Sequence, residues 1–368
     1  METFYWTSFI CENAMVKVLS LFDWMACGLV ALKRIGVQPT HYYASEIDGY
    51  VNLSLIKSIM RLEKTQFWWT SFICENSMTK VLSLFDWMAC GLVALKRIGV
   101  QPTHYYASEI DWYAKYIAKR NNPELIHIGN VKKVNWADYE GIDLLIGGSP
   151  CQWFSFAGKQ LNFEDHRSKL FFEYVRILKE SKPKYFLLEN VVMKKEWINI
   201  ISNELFWIQP IEINSSLVSA QNRRRLYRVW KRNDTWGYDQ ISLSLPKNKN
   251  IKMRNIMQSF VDKSYFLTKE QIDSIKHWKS YQNPLRWILL PQSKSPTLTA
   301  RGAWEYHSGM ILIRDKGKIR TLTPLECERL QTLPDNYTAW IDKSQRYKML
   351  WNGWTVDVIA HIFKSILS

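Results

Sequence analysis

Glycine is scarce in this chain: there are 15 among 368 residues, where average usage near 7% would give roughly 26. Acidic side chains are also few, 34 Asp and Glu against 49 Lys and Arg, leaving a net charge of +15. That imbalance excludes an acidic surface and points to a polyanionic partner. The six cysteines form no CxxC pair or other short spacing. This argues against zinc clusters and disulfide frameworks and for a reducing compartment, and no metal is expected. No apolar run reaches the ~18 residues of a membrane helix, and no basic-then-apolar leader opens the chain. The expectation is a soluble, cytoplasmic protein with no membrane partner.

What is present supports a packed core. Hydrophobic residues make up 47% and charged residues 23%, a balance that folds and leaves room for one large domain plus a smaller one. A repeat dominates the first third. Trp6–Asp48 recurs as Trp69–Asp111, differing only at Ala14/Ser77 and Val16/Thr79. Solenoid repeats diverge and come in threes or more, so two near-identical copies read as a recent duplication or an assembly error. Each copy holds a strand-like KVLSLFD, a helical GLVALKRIG and a second strand-like HYYASEID, the β-α-β opening of a doubly wound sheet. One sheet has room for one such opening. Copy two runs directly into the rest of the chain, so residues 1–77 are expected to be an appendage, with domain swapping as a lesser alternative.

Beyond the repeat, Ala114–Asn121 reads as a helix and Ile126–Ile128 as a short strand. Strands at Asp143–Ile146 and Tyr185–Leu188 flank a helical Leu170–Glu180, giving the alternation of a parallel α/β sheet. A later strand is expected at Leu226–Val229 and a final helix at Val356–Leu367. From Lys231 to about Ile288 the rhythm breaks into polar, Lys- and Asn-rich segments, consistent with a small separate domain.

The chemistry centres on Leu144–Ser155, LLIGGSPCQWFS. Gly147-Gly148 allow a sharp turn at a strand's carboxyl end, and Pro150 stiffens the loop that follows. Open α/β folds bind their ligands at that edge. A buried structural thiol is the commoner fate of a lone cysteine, but Cys151 at such an edge reads as a nucleophile.

Gly-Gly-Ser-Pro-Cys-Gln (147–152), Glu189-Asn190-Val191, Gln221-x-Arg223-x-Arg225 and Arg320-x-Leu322-Thr323-Pro324-x-Glu326 occur in that order, with Leu84-Phe85-Asp86 before and Asn352-Gly353 after. The series, from about Lys80 to the C-terminus, resembles the DNA (cytosine-5) methyltransferases. Within them it is most like the branch holding the mammalian de novo enzymes and their phage-borne relatives. The resemblance implies a doubly wound, mixed α/β sheet of the S-adenosylmethionine-dependent, Rossmann-like type. It implies a catalytic core at 78–230, a target-recognition domain at 231–312, and a segment at 313–368 returning to the core. The implied reaction is methyl transfer from S-adenosyl-L-methionine to C5 of cytosine in duplex DNA, through a Cys151–C6 adduct and base flipping.

By the same resemblance Cys151, Glu189, Arg223, Arg225 and Gln221 are the catalytic set. Phe85, Asp86, Trp87, Ala89, Cys90, Gly91, Glu109, Ile110, Asn130, Val131, Pro150, Leu170, Asn352 and Trp354 are the donor-binding set. Asn130 stands where the family usually has Asp. Double-stranded DNA is the implied partner, with a companion restriction endonuclease, a monomeric state and a place at the nucleoid of a bacterial or phage-infected cell. Two rival readings stay open: a tRNA cytosine-5 methyltransferase, and an inactive nucleic-acid-binding relative.

Tryptophan is the counterpart of the missing glycine, with 18 copies. Trp87, Trp153, Trp230 and Trp351 stand where the family pattern has glycine, and Trp207, Trp304 and Trp340 at turn-like places. Gly49 of copy one faces Trp112 of copy two. The pattern is what a gene reading UGA as glycine gives when UGA is translated as tryptophan; Trp136, Trp197 and Trp354 read as native.

Overall fold

A computed structural model describes residues 6–12, 15–21, 41–45, 80–139, 141–148, 169–235, 237–276, 288–299 and 311–367. The chain divides into two compact units, Met1–Phe72 and Ile73–Ser368.

The first unit carries a three-stranded sheet. β1 (Trp6–Glu12) pairs antiparallel with β2 (Met15–Leu21), and β2 pairs parallel with β3 (His41–Ser45). In the second unit the repeat forms the same parallel pair in the same register. Lys17 faces His41, and its duplicate Lys80 in β4 (Lys80–Leu84) faces His104 in β5 (His104–Ser108). Copy two thus supplies the opening of the main sheet.

That sheet has eight strands. β6 (Ile126–His127), β5, β4, β7 (Leu144–Gly147) and β8 (Tyr185–Val191) run parallel in this order. β10 (Arg224–Arg232) lies antiparallel to β8 and carries β9 (Ile211–Asn214) and β11 (Tyr238–Gln240), both antiparallel to it. The sheet is therefore mixed. Strand order reverses between β4 and β7, and a crevice opens at such a switch point beyond the carboxyl ends.

Each central strand feeds two layers, as a period of two requires. Val81, Ile146 and Leu187 enter one core, and Leu82, Leu145 and Leu188 the other. The first layer is covered by α1 (Cys90–Arg97) and α2 (Trp112–Asn121), and the second by α3 (Lys169–Ser181) and α4 (Lys195–Glu204). α3 buries Phe171, Tyr174, Val175 and Leu178, the i, i+3, i+4, i+7 stripe of an amphipathic helix. α1 sits unusually close to the sheet. A methyl at Gly91 would lie 2.9 Å from the Tyr105 hydroxyl oxygen and closer still to Ile146.

The later chain holds α5 (Met253–Ile256), α6 (Lys269–Lys276), the hairpin β12 (Leu312–Asp315) and β13 (Lys318–Thr321), then α7 (Pro324–Leu330), α8 (Lys343–Asn352) and α9 (Val356–Leu367). α9 packs on α1, so the C-terminus returns beside the first strand of the main sheet. Among the described residues, no helix is long and apolar enough to cross a membrane.

Three local expectations are revised. β8 does not stop at Leu188 but continues through Glu189 to Val191, because β10 pairs alongside it, Tyr227 opposite Glu189 and Arg225 opposite Val191. The strand expected at Leu226–Val229 is the longer β10 for the same reason. The segment beginning at Lys231 starts inside the main sheet, since β10 runs to Arg232 and β11 pairs with it.

Candidate active site

The carboxyl ends of β4, β7 and β8 lie side by side at one edge of the sheet. β4 ends in a tight turn, Phe85–Ala89, where Phe85, Trp87 and Ala89 take left-handed φ angles of 58°, 52° and 63°. Only glycine adopts that region without strain. Asp86 lies in the turn, buried at 6% exposure. Its Oδ1 accepts a 2.6 Å hydrogen bond from the Tyr105 hydroxyl, while Oδ2 is buried with no hydrogen-bond partner. Burial pushes the Asp86 carboxyl up to about 6. Cys90, one residue into α1, is buried beneath it, and burial pushes its thiol up to about 12, which leaves it an inert apolar packing group.

Glu109 follows β5 and is fixed by backbone donors. Its Oε2 accepts from the Trp87 N–H at 3.0 Å, and Oε1 from the N–H groups of Ile110 and Asp111 at 2.7 and 2.8 Å. The carboxylate thereby joins the two strand ends, and Ile110 beside it is 71% exposed. Asn130, beyond β6, caps a short helical turn by accepting from the Lys132 N–H at 3.0 Å. Its amide oxygen keeps one further lone pair for a ligand. Val131 is buried in the second core layer, against which Phe85 and Leu170 also pack.

At the neighbouring strand end, Gly148 follows β7. A methyl there would come 2.9 Å from Trp354 Nε1 and 3.0 Å from Glu189 Oε2. The space above Gly148 is therefore shared by the β8 carboxylate and the tail indole. Asn352 ends α8, and Gly353 packs against Met88 and Cys90. The 352–354 turn thus closes over the start of α1. Pro150 and Cys151, the implied nucleophile, lie outside the described residues, as does Trp153.

Glu189 is 8% exposed and pairs with Arg225, whose Nε stands 2.9 Å from its Oε1. Arg223 points elsewhere. It is buried, and its Nη2 donates to the carbonyls of Trp351 and Gly353 at 3.3 and 3.1 Å, while Nη1 is buried without a partner. Burial, with Arg225 nearby, lowers its pKa to about 9. Arg223 therefore braces the tail turn through Nη2. Gln221, expected in the catalytic set, is likewise committed to the framework. It donates to the Leu330 carbonyl and accepts from the Leu298 N–H, tying the segment before β10 to the later chain.

The Arg320–Glu326 motif proves structural. Arg320 is fully buried, its guanidinium held by Asp315 at 2.7 Å and by both oxygens of Glu326 at 2.8 and 2.7 Å. Glu326 also accepts from the Thr323 N–H, closing a capping box at the start of α7 with Pro324 in its first turn. Sequence reasoning missed Tyr105, which holds Asp86. A tyrosine in a strand carries no positional signal for such a role. Among the described residues, no cluster of His, Cys, Asp and Glu could hold a metal ion.

Known proteins resemble this chain in sequence and fold. The family model for the C-5 cytosine-specific DNA methylases matches residues 79–368. The chain is 32% identical over 314 residues to the type II methyltransferase M1.ScrFI of Lactococcus lactis subsp. cremoris, covering 80% of each. It is 32% identical over 427 residues to the orphan methyltransferase M.SPRI of Bacillus phage SPR, covering 78% of this chain and 97% of that one. Two solved structures share the fold. A DNMT2 mutant of Spodoptera frugiperda has a TM-score of 0.61 at 20% identity, over 79% of this chain and all of its own. The methyltransferase EhMeth of Entamoeba histolytica has a TM-score of 0.66 at 19% identity, over 79% of this chain and 98% of its own. With the model spanning nearly all of the second unit, the chain belongs to the C-5 cytosine-specific DNA methylase family.

Proposed function

We propose that the protein transfers a methyl group from S-adenosylmethionine to C5 of a cytosine in duplex DNA. Membership of the family is one support. The observation that carries the reading within this chain is the meeting of Glu189 and Trp354 at Gly148, three residues before Cys151 in the sequence.

The residues around the β4 turn fit the donor. Asp86 Oδ2 is a buried acceptor without a partner, Glu109 is a fixed carboxylate after β5, and Gly91 lets α1 approach the sheet. Glu109 would take the ribose hydroxyls and Asn130 the adenine amine. Phe85, Ile110, Val131 and Leu170 would line the apolar walls, with Asn352 and Trp354 closing over the turn. When bound, the donor supplies an electrophilic methyl group.

Cytosine C5 is a weak nucleophile, so the chain must first raise its electron density. The Cys151 thiolate adds to C6 while the carboxyl of Glu189 gives its proton to N3. C5 then takes the methyl group. Solvent water takes the C5 proton and the Glu189 carboxylate takes back the N3 proton, which restores the C5–C6 double bond and expels the Cys151 thiolate. Arg225 holds Glu189 in place through their 2.9 Å contact. The target base must leave the duplex to reach the reacting groups, and the excess of Lys and Arg over Asp and Glu favours contacts with the flanking phosphates.

The proposal includes a monomer at the nucleoid, with the 231–312 segment, beyond the part of it that β10 and β11 take into the sheet, reading the target site, and a companion restriction endonuclease in the same cell. Tritium transfer from labelled donor tests the reaction, using both the tryptophan-bearing chain and one with glycine at 87, 153, 230 and 351. Label in duplex DNA and not in tRNA is expected. Label in tRNA alone, or in neither, contradicts the reading.

A further inference from the structure

Four tryptophans carry a backbone or hydrogen-bonding fault, although Trp87, Trp230 and Trp351 pack in or against the core. Trp87 and Trp207 have left-handed φ angles of 52° and 63°, a region that bulky residues avoid. Trp207 lies just past the end of α4, and its N–H returns to the Ser202 carbonyl at 2.7 Å, the closing bond of a helix end whose usual glycine position is Phe206, one residue earlier. Its side chain is 72% exposed and so gains little by burial. Trp230 and Trp351 fail differently. Each buries an indole Nε1–H with no hydrogen-bond partner, although buried tryptophans ordinarily find one. Trp354 shows neither fault: it is 9% exposed in the first core layer and its φ is not left-handed. Left-handed φ also occurs at Phe85, Ala89 and Phe206, so the angle alone does not single out tryptophan. The convergence does. The chain holds 18 Trp and 15 Gly, and its own repeat writes Gly49 where the second copy writes Trp112.

We infer that glycine, not tryptophan, occupies positions 87, 207, 230 and 351 of the working protein. This follows if one codon rendered here as tryptophan is read as glycine in the host, while Trp197 and Trp354 come from the other tryptophan codon. The consequence is local at position 87, whose N–H already donates to Glu109. Glycine there keeps that bond, relaxes the turn and removes an indole from the β4 end. The residue assignment is independent of the function proposed above; only its effect on donor affinity rests on that reading.

Peptide mass mapping of the protein from its native host is the test. Glycine at 87, 207, 230 and 351, with tryptophan at 197 and 354, is expected; tryptophan at any of the four overturns the assignment there. Melting temperatures give a second measure. Replacing a well-placed tryptophan by glycine lowers Tm, so W354G should melt well below the tryptophan-bearing chain. W87G and W207G should hold or raise Tm, and a fall like that of W354G overturns the inference. Calorimetry with S-adenosylmethionine should show W87G binding about tenfold tighter or more. Unchanged affinity alongside mapped glycine would count against the donor site, not against the assignment.

Discussion

Arg225 and Glu189 stand diagonally across neighbouring antiparallel strands, with Nε 2.9 Å from Oε1. Diagonal neighbours on one face of a sheet remain within reach of long side chains. Both side chains are largely buried, at 14% and 11% exposure, so removing the arginine leaves a poorly solvated carboxylate. Arg225→Ala is expected to cut methyl transfer by about a hundredfold or more, the usual worth of a positioned acid. Arg225→Lys should recover only part of it, because Lys lacks the planar fork. Initial rates of tritium transfer on duplex DNA check both.

Gly148 should not tolerate a side chain. Even a methyl would meet Trp354 Nε1 at 2.9 Å and Glu189 Oε2 at 3.0 Å. Gly148→Ala is expected to lower activity on the order of a hundredfold, as small displacements of reacting groups do. Adding Trp354→Phe, which removes Nε1, should restore part of the loss. Rates and circular dichroism of both variants separate misplacement from unfolding.

How far the site can be read from residues alone is uneven. Period-two strands and the α3 stripe are visible because apolar spacing reports burial directly. Glu189 and the 147–148 glycines are visible because strand ends carry the chemistry of this fold. The extension of β8 to Val191 is not, since it depends on pairing with β10, about forty residues later. Nor is the fate of Arg223 or Gln221. Both lie in a motif with Arg225, yet tertiary contacts with Gly353 and Leu330 turn them to the framework.

Asp86 makes stability depend on pH. Its carboxyl rises from 3.8 to about 6 in the fold, chiefly by burial. The native state therefore binds more protons than the unfolded chain between about pH 4 and 6. Its contribution is favourable below the unfolded value and is lost as pH rises through the folded one. Asp86→Asn is expected to stabilise the protein by about 1–3 kcal/mol at pH 7.5 and by little near pH 4. Urea unfolding at both values measures the difference.

The buried Arg320 network should be fragile to removal of one partner. Glu326 satisfies two guanidinium nitrogens and the Thr323 and Gln258 N–H groups. Glu326→Gln leaves a buried cation undercompensated and should cost about 3–5 kcal/mol. A urea midpoint within error of the parent would show that the network is redundant.

Covalent trapping on duplex DNA containing 5-fluorocytosine is the most direct test of the central claim, run with the glycine-bearing chain. The account predicts a denaturation-resistant complex that needs S-adenosylmethionine, maps to Cys151 and disappears in Cys151→Ser. Trapping that survives in Cys151→Ser, or methyl transfer by that variant at the parent rate, would contradict it.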